Sequence, residues 1–181
     1  MKMKRKKIVG IIVLLLLVCT ITIGYSLLSD NLSINGTSSI SSTSWNIHFA
    51  DISPTTGSVT PTTAPTIDDS GLNITYAVAM TNPGDFYEFT VKVVNSGTVN
   101  AKMSSLPVLT GVSSSQDVFT NFTYTHADGT AITNIENESI NAGQSKTYKV
   151  RVEFDRNISS DQLPTTIQNM TLKVALAYEQ A

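Results

Sequence analysis

The chain has 181 residues, and its 12 Lys/Arg against 14 Asp/Glu hide two unlike pieces. Five of the basic residues stand in the first seven positions, whereas from Leu27 onward seven Lys/Arg face all fourteen acids, a net charge of −7. That acidic body excludes nucleic acid and bare anionic lipid as charge-driven partners, and the single cysteine, Cys19, leaves everything after Ser26 without a disulfide.

The first element is MKMKRKK followed by sixteen uncharged residues, Ile8 to Ile23. A basic start, an apolar run and small residues beyond it are the ordered parts of a secretory signal. Gly24 and Ser26, in Gly24-Tyr25-Ser26, supply the small positions a signal peptidase needs, so cleavage is expected after Ser26 with Leu27 as the new N-terminus. Sixteen helical residues span about 24 Å, short of a hydrocarbon core about 30 Å thick. Residues 8–25 together leave an uncut anchor as the alternative, and that would be the chain's one contact with a membrane. In either case the basic cluster stays cytoplasmic and the remainder lies outside the cell. Cys19 has no small residue just before it, against a lipoprotein signal, and the apolar run has no early acid, against a type IV pilin signal.

Beyond Leu27, apolar residues alternate with period two, the signature of half-buried strands. LLSDNLSINGTSSI carries Leu32 and Ile34 on one face, with Ile40 in register after Gly36 and Ser38. SWNIHFA places Trp45, Ile47 and Phe49 on an apolar face, with Asn46 and His48 opposite. Asp51–Ile67 holds three prolines and reads as a long loop. LNITYAVAM follows, then a turn at Asn82-Pro83-Gly84-Asp85 and a strand with Tyr87, Phe89, Val91 and Val93 aligned. A strand around Phe122 and Tyr124 closes at Asp128-Gly129, a strong hairpin signal. Ser104–Gln116 and Asp155–Thr166 read as loops or a helical turn. The final strands carry Tyr148, Val150, Val152 and Phe154, and then Met170, Leu172, Val174, Leu176 and Tyr178. The expected fold is all-β: an antiparallel two-sheet sandwich or jelly roll of about eight strands after an N-terminal signal helix. The expected division is signal 1–26, N-terminal strand 27–40 and sandwich 41–181.

Catalytic chemistry finds little footing. His48 and His126 are far apart, and the sequence has no HExxH, CxxC or GxSxG. No catalytic, cofactor-binding or metal-ligating residue is therefore assigned. Glu136 and Glu138 read as solvated turn acids, and Asp68-Asp69 is at most a weak calcium site. Gln162–Ile167 lacks the glycine of a sortase signal, and Trp45 is expected in the core rather than on a sugar-binding face.

Gly24-Tyr25-Ser26 followed by LLSDNLSINGTSSI resembles the start of the TasA/camelysin group of Gram-positive exported proteins, which a SipW-type signal peptidase processes. NPGDFYEFTVKVVNSGTVNAKMSSL, residues 82–106, is similar to a segment common in that group. The resemblance implies a secreted, cell-surface jelly-roll subunit of biofilm matrix fibres, in which the N-terminal strand of one subunit completes its neighbour's sheet. On that pattern the cleavage residues are Gly24, Ser26 and Leu27, and the assembly strand carries Leu32, Ile34 and Ile40. The partners implied are the protein itself, as a head-to-tail homopolymer, and a signal peptidase during export. The metalloprotease activity described for camelysin-like members finds no matching ligand set here. The rival expectation is a monomeric cell-surface binding module, adhesin-like or carbohydrate-binding; an exported hydrolase has little support.

Overall fold

The computed structural model describes residues 7–19, 42–55 and 57–181. The chain divides into two units, Met1–Ser41 and Ser42–Ala181. In the first, helix α1 covers residues 7–19 with its apolar side chains exposed. Among the described residues no helix is long and apolar enough to cross a membrane. Gly24, Ser26, Leu27, Leu32, Ile34 and Ile40 all lie outside the described residues.

Ser42–Ala181 is all-β and antiparallel. Its strands are β1 (Ile47–Pro54), β2 (Pro61–Ile67), β3 (Asn73–Met80), β4 (Phe86–Asn95), β5 (Ala101–Met103) and β6 (Leu109–Thr110). The one-turn helix α2 (Ser114–Asp117) then precedes β7 (Thr120–His126), β8 (Ser139–Ile140), β9 (Ser145–Phe154), β10 (Gln168–Ala175) and β11 (Tyr178–Gln180). They form one sheet in the order β1-β4-β9-β7, a second in the order β2-β3-β10-β6, and a small third, β11-β5-β8. The two larger sheets bury alternate residues between them, as strands with one wet face do. Tyr87, Phe89, Val91 and Val93 of β4 and Tyr148, Val150, Val152 and Phe154 of β9 oppose Tyr76, Val78, Met170 and Leu172 of the second sheet. Tyr76 and Phe89 join the layers edge to face, ring centroids 5.2 Å apart. Each such side chain contributes about 1.5–3 kcal/mol by leaving water.

The sandwich class is as expected, with eleven strands among the described residues rather than about eight, several of only two or three residues. Three local expectations are corrected. Asp51–Ile67 is not one long loop, because β1 runs on to Pro54 and β2 occupies Pro61–Ile67. The prolines are tolerated because β1 and β2 are edge strands, where a missing N–H faces no partner. Met170–Tyr178 is not one strand: it leaves β10 after Ala175, and Tyr178 belongs to the third sheet. Trp45 is not core but 45% exposed, and Leu72 is similarly open. Both continue an inward-facing row, beyond Ile47 and Ile74, past the point where opposing side chains cover it.

Asn95 ties the third sheet to the first. Its buried amide donates to Val99 O at 2.8 Å and Ile140 O at 2.9 Å, and its Oδ1 accepts from Gly97 N at 3.0 Å. A buried amide with three bonds fixes the β4–β5 turn and the start of the β8 connection.

Candidate functional site

One flank of the sandwich ends on β7. The strand pairs with β9 without a register break, from Thr120 opposite Phe154 to His126 opposite Tyr148. Alternation buries Tyr124 and half-buries Phe122, while Asn121 and Thr123 face water. The Asp128-Gly129 turn then sends the chain away. Asp128 Oδ1 accepts from Thr130 N at 2.9 Å and Thr130 Oγ1 at 2.7 Å, and these bonds hold its carboxyl below the usual range. Gly129 takes φ +88°, the left-handed conformation that side chains resist.

After the turn the chain forms a β-bridge to β7 at Thr125–Ala131. His126 N–H donates to Thr130 O at 3.0 Å, so even-numbered positions of β7 aim their backbone polar groups away from β9. Among the described residues, no strand pairs with Thr120–Tyr124 on that outer side. Phe122 and Tyr124 point their side chains inward at the same positions. A strand arriving here would find donors and acceptors at its backbone, and an apolar row continuing on one face.

Behind this edge lies a polar cluster that composition and motif had not announced. Glu138 follows a 3-10 turn, Ile135–Asn137, and is buried, correcting its reading as a solvated turn acid. Its carboxylate accepts from Tyr148 Oη at 2.9 Å and Lys146 Nζ at 3.0 Å, and His126 Nε2 stands 3.4 Å away. Tyr178 Oη donates to Tyr148 Oη at 2.8 Å, and the Tyr148 ring stacks on Tyr124 with centroids 4.9 Å apart. Burial raises the Glu138 pKa; the bonds from Lys146 and Tyr148, with the charges of Lys146 and His126, more than offset it and leave it below the ordinary carboxylate range. Burial pushes the Tyr148 hydroxyl well above its usual range. The cluster joins β7, β8, β9 and β11 with complementary charge and holds no activated nucleophile. It braces the edge strand.

The remaining candidates are structural. Asp68 accepts from Ser70 Oγ at 2.7 Å, Leu72 N at 3.0 Å, Asn73 N at 3.2 Å and Asn73 Nδ2 at 2.6 Å, closing the β2–β3 turn. The Asn73 and Ser70 side chains pull its pKa to about 2. Its oxygens are thus taken up by its own loop rather than set out for calcium. Among the described residues no group of three His, Cys, Asp or Glu gathers as a metal site. His48 contacts Asn46 Oδ1 at 3.0 Å. Gln162–Ile167 lies in the β9–β10 connection. The signal that could have exposed the Glu138 cluster is weak: Lys146 and Tyr148 flank Glu138 by eight and ten positions, and Tyr178 is forty away.

Comparison of the chain with protein-family models, curated proteins and solved structures found no match.

Proposed function

We propose that this protein is an exported structural subunit of extracellular matrix fibres, released at Leu27 and polymerised when the strand carrying Leu32, Ile34 and Ile40 adds to a neighbouring subunit. One observation carries the reading: a seven-residue strand, β7, ends a sheet, and among the described residues no strand pairs with Thr120–Tyr124 on its outer side. An exposed, regular edge is a template for another chain, and proteins usually blunt it. Strand addition there supplies backbone hydrogen bonds for affinity and side-chain contacts for register. A donor at one end of a subunit and an acceptor on another make a heterologous contact, which propagates into filaments rather than closing. The net charge of −7 after Ser26 keeps released subunits apart until specific pairing joins them.

The rival, a monomeric surface binding module, has one observation in its favour, the exposure of Trp45 and Leu72 at the end of the sandwich. The test is the intact mass and N-terminal residue of the extracellular form, with an electron micrograph of the same sample. Filaments beginning at Leu27 support the fibre subunit. Monomers, or a form retaining residues 1–26, support the rival.

A further inference from the structure

The second sheet ends on the two-residue β6, which covers part of the regular strand β10. β10 pairs with β3 over eight residues without a break, Gln168 opposite Met80 through Ala175 opposite Asn73. On its other side β6 reaches only Lys173 and Val174. The opposite flank is blunted differently. β1 shifts register between Ala50 and Ile52 and ends on Pro54, and β2 contains Pro61 and Pro65 and shifts register twice. β10 is thus a long strand with no proline or bulge, and β6 and the segment after it are what cover its outer side.

Leu176 N–H donates to Leu72 O in step with the ladder, so even-numbered positions of β10 bond β3. Asn169, Thr171 and Lys173 therefore aim their backbone groups at the segment Leu109–Val118, which answers them one by one. Thr110 Oγ1 donates to Lys173 O at 3.2 Å. Gly111, at φ +87°, presses its backbone against Thr171 O, where any side chain would overlap that oxygen. Gln116 Nε2 reaches Asn169 O at 3.5 Å. Gln116 Nε2 also reaches Gln168 Oε1 at 3.4 Å and Gln116 O accepts from Thr120 Oγ1 at 2.7 Å, but apolar anchorage is slight. Helix α2 buries no residue, Val108 and Val118 are exposed, and only Leu109 and Val112 pack partly on the core before Phe119 re-enters it. Segments with few buried apolar contacts open at low free energy.

We propose that Leu109–Val118 is a displaceable guard over a latent self-association edge, and that the partner it holds off is a second copy of this chain, pairing β10 with β10. Antiparallel pairing centred on Thr171 sets Lys173 opposite Asn169 and Ala175 opposite Ile167. The one charged residue of β10, Lys173, faces Asn169 in this register rather than its own copy, and the Asn169 side-chain oxygen can accept from the Lys173 ammonium. The contact is isologous and closes as a pair, unlike the head-to-tail contact at β7. It would link two subunits, or two filaments, side by side.

The test uses the full chain carrying Leu32→Asp and Ile34→Asp, so that N-terminal strand addition, whether or not it occurs in the parent, does not contribute. Gly111→Val is added to unseat the guard. Sedimentation should show dimers at least tenfold tighter than in the unguarded chain's parent, with amide exchange at Thr171 and Lys173 slowed at least tenfold on association. Adding Thr171→Pro should abolish the dimer, because the lost N–H points away from β3 and the β3 ladder survives. If circular dichroism shows Gly111→Val unfolded, Thr110→Val with Gln116→Ala loosens the guard instead by removing its two side-chain bonds to Lys173 O and Asn169 O. A folded, unguarded chain that stays monomeric overturns the proposal. So does a dimer in which residues 168–175 exchange as fast as in the monomer.

Discussion

Tyr178 in the last strand donates to Tyr148 Oη at 2.8 Å, and Tyr148 donates in turn to the Glu138 carboxylate at 2.9 Å. Three elements distant in sequence are thereby clasped by two hydroxyl bonds ending on one charge. Tyr178→Phe removes the outer bond and should cost about 1 kcal/mol. Glu138→Leu removes the charged acceptor and should cost about 2–3 kcal/mol, leaving Tyr148 Oη buried without its carboxylate. Urea unfolding followed by far-ultraviolet circular dichroism measures both; equal, negligible losses would show that the clasp contributes nothing.

The same carboxylate sets a pH dependence. Its folded pKa lies below the unfolded value of 4.5, so the unfolded chain binds the proton more readily. The contribution is complete above pH 4.5 and is lost as pH falls through the folded value. Glu138→Gln should therefore lower stability at neutral pH and flatten its decline below pH 4.5. Unfolding free energies of the two proteins across this range should converge in acid; parallel curves would place the acid limb in other carboxyls, such as Asp85 and Glu153.

Trp45 and Phe89 were both expected inside, and the structure separates them. Phe89 is fully buried and packs on Tyr76 and Tyr87. Phe89→Ala should cost about 3–5 kcal/mol, the range for a large core aromatic. Trp45→Ser should change stability by less than about 1 kcal/mol, as surface replacements do. Thermal melts of the two variants decide it.

Asn95→Ala should cost about 2–4 kcal/mol, since Val99 O, Ile140 O and Gly97 N lose their buried partner together. Amide exchange should rise at Gly97 and across β5 before the rest of the sandwich. Uniform exchange throughout would mean that the third sheet does not depend on this amide.

Period-two alternation made the central strands legible, because a strand packed on one face must place every second side chain there. Tyr87 to Val93 and Tyr148 to Phe154 follow that rule without exception. Alternation names a face but does not say how far the opposite sheet reaches, which is why Trp45 and Leu72 overrun the core. Proline content hid β2, since its edge position is a fact of topology that no local window contains. Glu138 looked like any turn acid because its partners arrive from β7 and β9. The edge of β7 was equally hidden, for its place in the sheet is set by pairing with β9, more than twenty residues further along the chain.

The β7 edge has its own test. Phe122→Pro removes an N–H that points outward, whereas Phe122→Ala loses the same ring and keeps the donor. Both should destabilise the sandwich similarly, and only the proline should block assembly on this edge. Sedimentation of the two variants makes the comparison. Equal assembly by both would place the joining contact on another part of the molecule.

The proposed assembly requires residues 27–40 to join a neighbouring subunit rather than complete their own domain. Negative-stain electron microscopy of two chains, one beginning at Leu27 and one at Ser41, tests it most directly. The account predicts filaments from the first, and from the second monomers with an intact cooperative melt. Leu32→Asp with Ile34→Asp in the longer chain should reproduce the monomer. An unfolded shorter chain, or a longer chain that stays monomeric at every concentration, would contradict it.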